Sequence, residues 1–286
     1  MGLVVASDGL LARKNARHGE AKVQWLQWYV EAALQATQRM PRRWYVDLFA
    51  GPGRNIDPSG HEYPSMAVTA ATIADRTGRG FHQCILGNLH DEQATALHER
   101  IDRAHAAGQL ALSRANVQCI VADANHVAAD IMSGVARRDY VLASLDIEAP
   151  RQLPFRTVRT LLARGHTSVD LYMLLPLHMG VNRAAGTGSG QAYESVTSFF
   201  GTSEWLDVWY RHPSGGTPRT TALLEFYLQQ LRSEAGWKHA EVVLPVRSMG
   251  GQKLYQMLLA TNNDTALKIA KGVRKRSEQP QLPGLF

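Results

Sequence analysis

The sequence predicts an α/β protein built on a doubly wound, Rossmann-like sheet. The sheet is mostly parallel, with an antiparallel C-terminal strand and a helical insertion before the last hairpin. Three observations carry that expectation. Short runs rich in β-branched and aromatic residues alternate with segments of helical period from Trp44 to Leu175. The first such run, Trp44-Tyr-Val-Asp-Leu-Phe49, breaks at once into the glycine turn Gly51-Pro52-Gly53. Near the end, the strand-like runs Ala240–Val246 and Leu254–Thr261 flank Gly250-Gly251 and read as a hairpin.

The elements follow in order. Residues 1–17 have mixed polarity and read as a loosely ordered lead-in. From His18 to Gln38 the period is helical, with Trp25, Leu26, Tyr29, Val30 and Ala33 on one face, and Pro41 stops it. Trp44–Phe49 is a buried parallel strand. Helices are then predicted at Met66–Ala74, Asp91–Ala106, Ala124–Val135 and Pro154–Ala163. Between and after them come strands at His82–Gly87, Asn116–Val121, Tyr140–Asp146 and Val169–Leu175. Beyond Pro176 the rhythm loosens. Asn182–Gln191, rich in Gly, Ala and Ser, reads as a mobile loop, and helices follow near Tyr193–Phe200, Glu204–Tyr210 and Thr220–Ala235. This helical insertion, about 182–236, precedes the hairpin; a last helix covers Thr265–Lys275. The organisation is one domain over 18–276, with a polar tail at 277–286.

Composition bounds the rest. At 286 residues, 45% hydrophobic and 20% charged, the chain is long enough for a full core. No apolar run approaches the roughly 18 residues of a bilayer span, and the most apolar stretch, Leu171–Val181, contains Pro176 and His178. Met1–Leu11 has no basic residue ahead of its apolar part, so it is a poor signal peptide. The reading is a cytoplasmic protein without a membrane partner. A net charge of +6 biases it mildly toward acidic partners, DNA and RNA among them. Cys84 and Cys119 lack metal-site spacing and read as core thiols. The eleven histidines make no ligand pattern, so no metal is expected.

The glycine turn sits where parallel sheets hold ligands, at the carboxyl end of a strand, and its glycines let backbone approach a ligand closely. A dinucleotide fingerprint would need a third small residue where Ile56 stands, and an acid where Ala70-Ala71-Thr72 lies. A phosphate loop would need Gly-Lys-Ser/Thr, which does not occur. S-adenosylmethionine has no phosphates and needs neither. Its expected ligands are Asp47, Phe49, Ala50, Gly51, Pro52 and Gly53 on the first strand and turn, Asn88 after the second strand, and Asp123 with Ala124 after the third. Asn88 stands where a ribose-chelating acid is expected, and an amide offers less charge and reach. Asp123 also suits a helix N-cap, and both roles can hold together.

The wider pattern resembles the three-Cys-motif partner proteins, a bacterial-type family with a Rossmann methyltransferase-like fold. The matching residues are His18, Lys22, Leu26 and Tyr29, the run Tyr45 to Arg54, Asp170 and Pro176, Asn182-Arg183, Phe200-Gly201, Trp205, Leu254-Tyr255 and Ala260-Thr261. The resemblance spans about residues 18 to 276. It implies an S-adenosylmethionine-dependent methyltransferase-like protein and a three-cysteine, radical-type iron–sulfur partner. The chain departs from the family at Tyr63-Pro64-Ser65 after the turn and at Asp146-Ile147-Glu148-Ala149-Pro150 after the fourth strand.

Asp146 and Glu148, two apart at a strand end, face one side and are the candidate catalytic residues; a solvated strand end is the alternative. Arg54, Asn182 and Arg183 are candidate substrate-binding residues, with a loop-anchoring salt bridge the other reading of Arg183. Trp25, Trp28 and Trp44 read as core anchors. The Lys271–Arg276 cluster suits nucleic acid or a solvated helix end. Gln281-Leu-Pro-Gly-Leu-Phe286 loosely resembles a sliding-clamp peptide, with its spacing off by one residue. Two functions stand: a methyltransferase acting on nucleic acid or a base-like group, or a non-catalytic adaptor binding nucleic acid or the iron–sulfur partner. A nuclease finds no support, because no acids cluster with a lysine at a strand end in the sequence.

Overall fold

Strand alternation divides the core in two. The structure, a computed structural model, describes residues 2–15, 19–162, 165, 168–212, 216–247 and 253–278. In it β3 (Arg43–Asp47), β6 (Gln83–Asn88), β7 (Val117–Val121), β8 (Tyr140–Leu145) and β9 (Val169–Leu175) run parallel. The hairpin of β10 (His239–Arg247) and β11 (Lys253–Thr261) closes one edge, with β11 antiparallel to both β9 and β10. The order β10-β11-β9-β8-β3-β6-β7 is the doubly wound, Rossmann-like sheet with an antiparallel C-terminal strand that the sequence predicts.

Because side chains alternate along a strand, Trp44, Val46, Val141, Ala143, Leu171 and Met173 enter one apolar layer. Tyr45, Leu142, Tyr172 and Leu174 enter the other. The first layer is covered by α4 (Ala124–Gly134), α5 (Phe155–Thr160) and the insertion helices α7 (Gly190–Phe200), α8 (Trp205–Arg211) and α9 (Gly216–Ser233). The second is covered by α1 (Gly19–Ala36), α2 (Met66–Thr72), α3 (Asp91–Ala106) and α10 (Asp264–Glu278). No helix among the described residues is long and apolar enough to cross a membrane.

A buried acid ties the second layer together. Asp170 on β9 accepts hydrogen bonds from Tyr29 Oη at 2.7 Å, Tyr140 Oη at 2.8 Å and Thr261 Oγ1 at 2.5 Å. One carboxylate thus joins α1, β8, β9 and β11. Burial pushes its pKa up, and the three hydroxyls partly offset that.

Two parts of the sequence reading need correction. Within residues 2–15, expected to belong to a loose lead-in, β1 (Leu3–Val5) and β2 (Leu11–Lys14) form an antiparallel pair. With β4 (Arg54–Ile56) and β5 (Glu62–Pro64) they make a second sheet, ordered β1-β2-β4-β5. Its strands are three or four residues long, too short for periodicity to register. Likewise Asn182–Gln191 is not a loop throughout. It holds α6 (Asn182–Gly186) and the start of α7, where Ser189 caps the helix by accepting from Ala192 N. Alanine, the best helix former, outweighs the glycines there. His18, the Gly250-Gly251 turn and the terminal Gln281–Phe286 peptide lie outside the described residues.

Candidate functional site

In a doubly wound sheet the crevice opens where strand order reverses. Here that point lies between β3 and β8, so the residues that end these two strands are the ones to follow. Asp47 ends β3. It is 1% exposed, accepts from Phe49 N at 3.0 Å and from Tyr45 Oη at 3.1 Å, and faces a small hollow over the glycine turn. Burial pushes its pKa up to about 7; the Asp146 charge adds to the rise, while the Phe49 N–H, Tyr45 and Arg13 oppose it.

Gly51 (φ +64°) and Gly53 (φ +93°) adopt left-handed conformations. A Cβ on Gly53 would meet Leu97, Arg100 and Val68 at 3.0–3.3 Å, so that glycine serves packing. For a Cβ on Gly51 the nearest atoms would be those of the Arg13 guanidinium, at 3.2–3.7 Å. Between the turn and the helix that starts at Met66 the β4–β5 hairpin intervenes, and Ser65 then caps α2.

Asp146 and Glu148 follow β8, with Ile147 between them fully buried, so both carboxylates leave the core on the same side. Gln152 Oε1 accepts from Glu148 N at 2.6 Å and Ala149 N at 2.9 Å and fixes this loop. Asp146 is held by a residue that the sequence reading did not assign to the site. Lys22 Nζ on α1 donates to both carboxylate oxygens, at 2.8 and 2.7 Å. Lys22 is 4% exposed, and its ammonium also lies 5.6 Å from the Tyr255 ring centroid. The available signal was a lysine on the otherwise apolar, buried face of a helix. Arg13 stands 4.0 Å from Asp146 and 3.8 Å from Glu148. A lysine thus reaches these acids from a helix, a grouping that spacing along the strand does not reveal. Even so, no group of three metal-ligating side chains forms among the described residues.

The remaining expected ligands separate. Phe49, Ala50, Gly51 and Pro52 line the hollow. Asn88, 4% exposed, donates its amide nitrogen to Gly51 O at 3.0 Å and props the turn from below. Asp123 accepts from Asn125 N at 2.8 Å as the N-cap of α4, with buried Ala124 behind it. Leu89 and Val121, unassigned by the sequence reading, are exposed at the ends of β6 and β7, at 63% and 52%. Arg54 lines neither cavity; it pairs with Glu62 at 2.9 Å and Asp8 at 3.4 Å. Asn182 also lines neither, and donates to Thr220 Oγ1 at 2.9 Å. Arg183 does reach the site, on the wall of the large cleft.

Two cavities meet here. The hollow over Gly51 measures about 20 Å³, room for little more than one water. Beside it lies a cleft of about 980 Å³. Arg13, Asn15, Lys22 and Asp146 line both and form the wall between them. Among the described residues the cleft carries five cationic side chains, Arg13, Lys14, Lys22, Arg151 and Arg183, against the two acids Asp146 and Glu148. Both thiols stand apart: burial raises the pKa of Cys84, and that of Cys119 to about 11, which keeps them protonated.

The chain is similar in structure to the crystal structure of protein LPL1258 from Legionella pneumophila str. Philadelphia 1, a protein of the DUF519 family, with a TM-score of 0.50 over 91% of each chain. Sequence identity is 12%, so the likeness concerns the fold. No family model matches the chain, and no curated protein does.

Proposed function

We propose that this protein is an S-adenosylmethionine-dependent, methyltransferase-like protein of the three-Cys-motif partner type, acting on nucleic acid or a base-like group. The observation that carries the reading is the convergence of Asp47 and Asp146, from the two strands flanking the switch point, on one pair of adjoining cavities above a glycine turn.

The donor set fits the cofactor's chemistry. Its amino-acid end, one ammonium and one carboxylate, matches acids and cations around Gly51. Its nucleoside end matches the exposed apolar Leu89 and the carboxylate of Asp123. The Arg13 guanidinium is the nearest group over Gly51, so seating such a molecule there requires that side chain to shift. Bound cofactor supplies an electrophilic methyl group, a transfer that depends more on alignment than on acid–base help. The chain's own residues then do the positioning. Lys22 fixes Asp146, Gln152 fixes the loop that carries Glu148, and the two acids accept hydrogen bonds from the nitrogen to be modified. The cationic cleft wall suits phosphates on the acceptor. The iron–sulfur partner follows from the family resemblance.

The test is transfer of labelled methyl groups from S-adenosylmethionine to pooled RNA and DNA. The wild type is expected to label one pool, and Asp146→Asn to lower the rate at least about a hundredfold. Labelling of neither pool, together with a salt-dependent shift of the same nucleic acid, supports the second reading, a binding adaptor. The Lys22 ammonium on Asp146 and the Arg13 guanidinium over Gly51 favour that alternative.

A further inference from the structure

Arg13 is the side chain nearest to where a Cβ at Gly51 would lie, and it borders both cavities. Its backbone is fixed. Residues Arg13 and Lys14 pair in parallel with Asn55 and Ile56. Arg100, 6% exposed on α3, grips the same hairpin, donating through Nε and Nη2 to the Asp8 carboxylate, both at 2.9 Å. Its Nη1 donates to Leu11 O and to Pro52 O, both at 2.5 Å, which ties β2 to the glycine turn. The guanidinium of Arg13 is held less firmly. Its approaches to Asp146 and Glu148, at 4.0 and 3.8 Å, are longer than the 2.7–2.9 Å of a charge-assisted hydrogen bond. A fixed backbone carrying a loosely paired fork is suited to exchanging one carboxylate for another.

We propose that Arg13 is the receptor for the carboxylate of an α-amino-acid-bearing ligand seated over Gly51, and that its turn toward that carboxylate opens the wall between hollow and cleft. The ligand class follows from the charges present. A phosphate would sit against the carboxyl groups of Asp47 and Asp146 and be repelled. A zwitterion instead sets its ammonium toward those acids and its carboxylate toward the guanidinium, whose planar fork fits it in two parallel hydrogen bonds. Swinging to the ligand also moves one positive charge away from Asp146 and Glu148, while Lys22 stays on Asp146. This inference rests on the cofactor reading above and adds to it a residue and an order of events.

The test is titration calorimetry of wild type, Arg13→Met and Arg13→Lys with S-adenosylhomocysteine and with 5′-methylthioadenosine, which shares the nucleoside thioether but lacks the amino-acid end. The wild type is expected to bind S-adenosylhomocysteine at least tenfold more tightly than methylthioadenosine. Arg13→Met is expected to bind both as weakly as the wild type binds methylthioadenosine. Arg13→Lys, which keeps the charge without the fork and guards against a folding defect in the first variant, is expected to fall between. Equal affinity of wild type and Arg13→Met for S-adenosylhomocysteine overturns the role of Arg13 and leaves the cofactor reading standing. Tighter binding of both ligands by Arg13→Met makes Arg13 a plug and also overturns it. No binding of either ligand by the wild type overturns both ideas together.

Discussion

Asp47 shows how one residue ties stability to the site. An unfolded aspartate titrates near 3.9, whereas burial moves the folded-state value to about 7. Between about pH 4 and 7 the folded chain therefore holds the extra proton, and stability falls as pH rises through that window, flattening above it. Asp47→Asn keeps the shape and removes the titration. Urea unfolding at pH 5, 6, 7 and 8 is expected to show the variant gaining on the wild type at each step up to pH 7; parallel curves would mean that Asp47 is already ionised throughout. The residue itself was legible in the sequence, because an acid two places before Phe49 and four before Gly51 is a local pattern. Its neighbours Arg13 and Lys22 were not assigned to the site, because they arrive from β2 and α1 only after the chain folds. Asn88 was placed correctly at its strand end, yet its amide nitrogen serves the turn, a use that only the turn's three-dimensional path reveals.

Among the elements, those with long periods were read best. The helix Asp91–Ala106 and the strand Val169–Leu175 coincide with their sequence limits. The five parallel strands and the final hairpin follow from apolar runs that a two-faced sheet must bury. The small sheet β1-β2-β4-β5 escaped, because strands of three or four residues carry no periodic signal and gain their stability from pairing and from Arg100. That dependence can be measured. Arg100→Ala removes the link from α3 to Asp8, Leu11 and Pro52, and amide exchange over Leu11–Lys14 is expected to rise about tenfold or more while β8 and β9 stay protected. Unchanged exchange in β2 would mean that the strand pairing alone holds the hairpin.

For the molecule as a whole, the fold places two acids, two cations and a glycine turn at the sheet's switch point, and a cationic cleft adjoins them. The likeness to LPL1258 at 12% identity speaks to that architecture, so the chemistry rests on the site. The central claim is that the space over Gly51 receives S-adenosylmethionine. The most direct measurement is calorimetric titration of this cofactor into wild type and Asp47→Ala. The account predicts saturable binding by the wild type, weakened at least about tenfold in the variant. Absence of heat from the wild type at millimolar cofactor, or equal affinity of the two proteins, would contradict it.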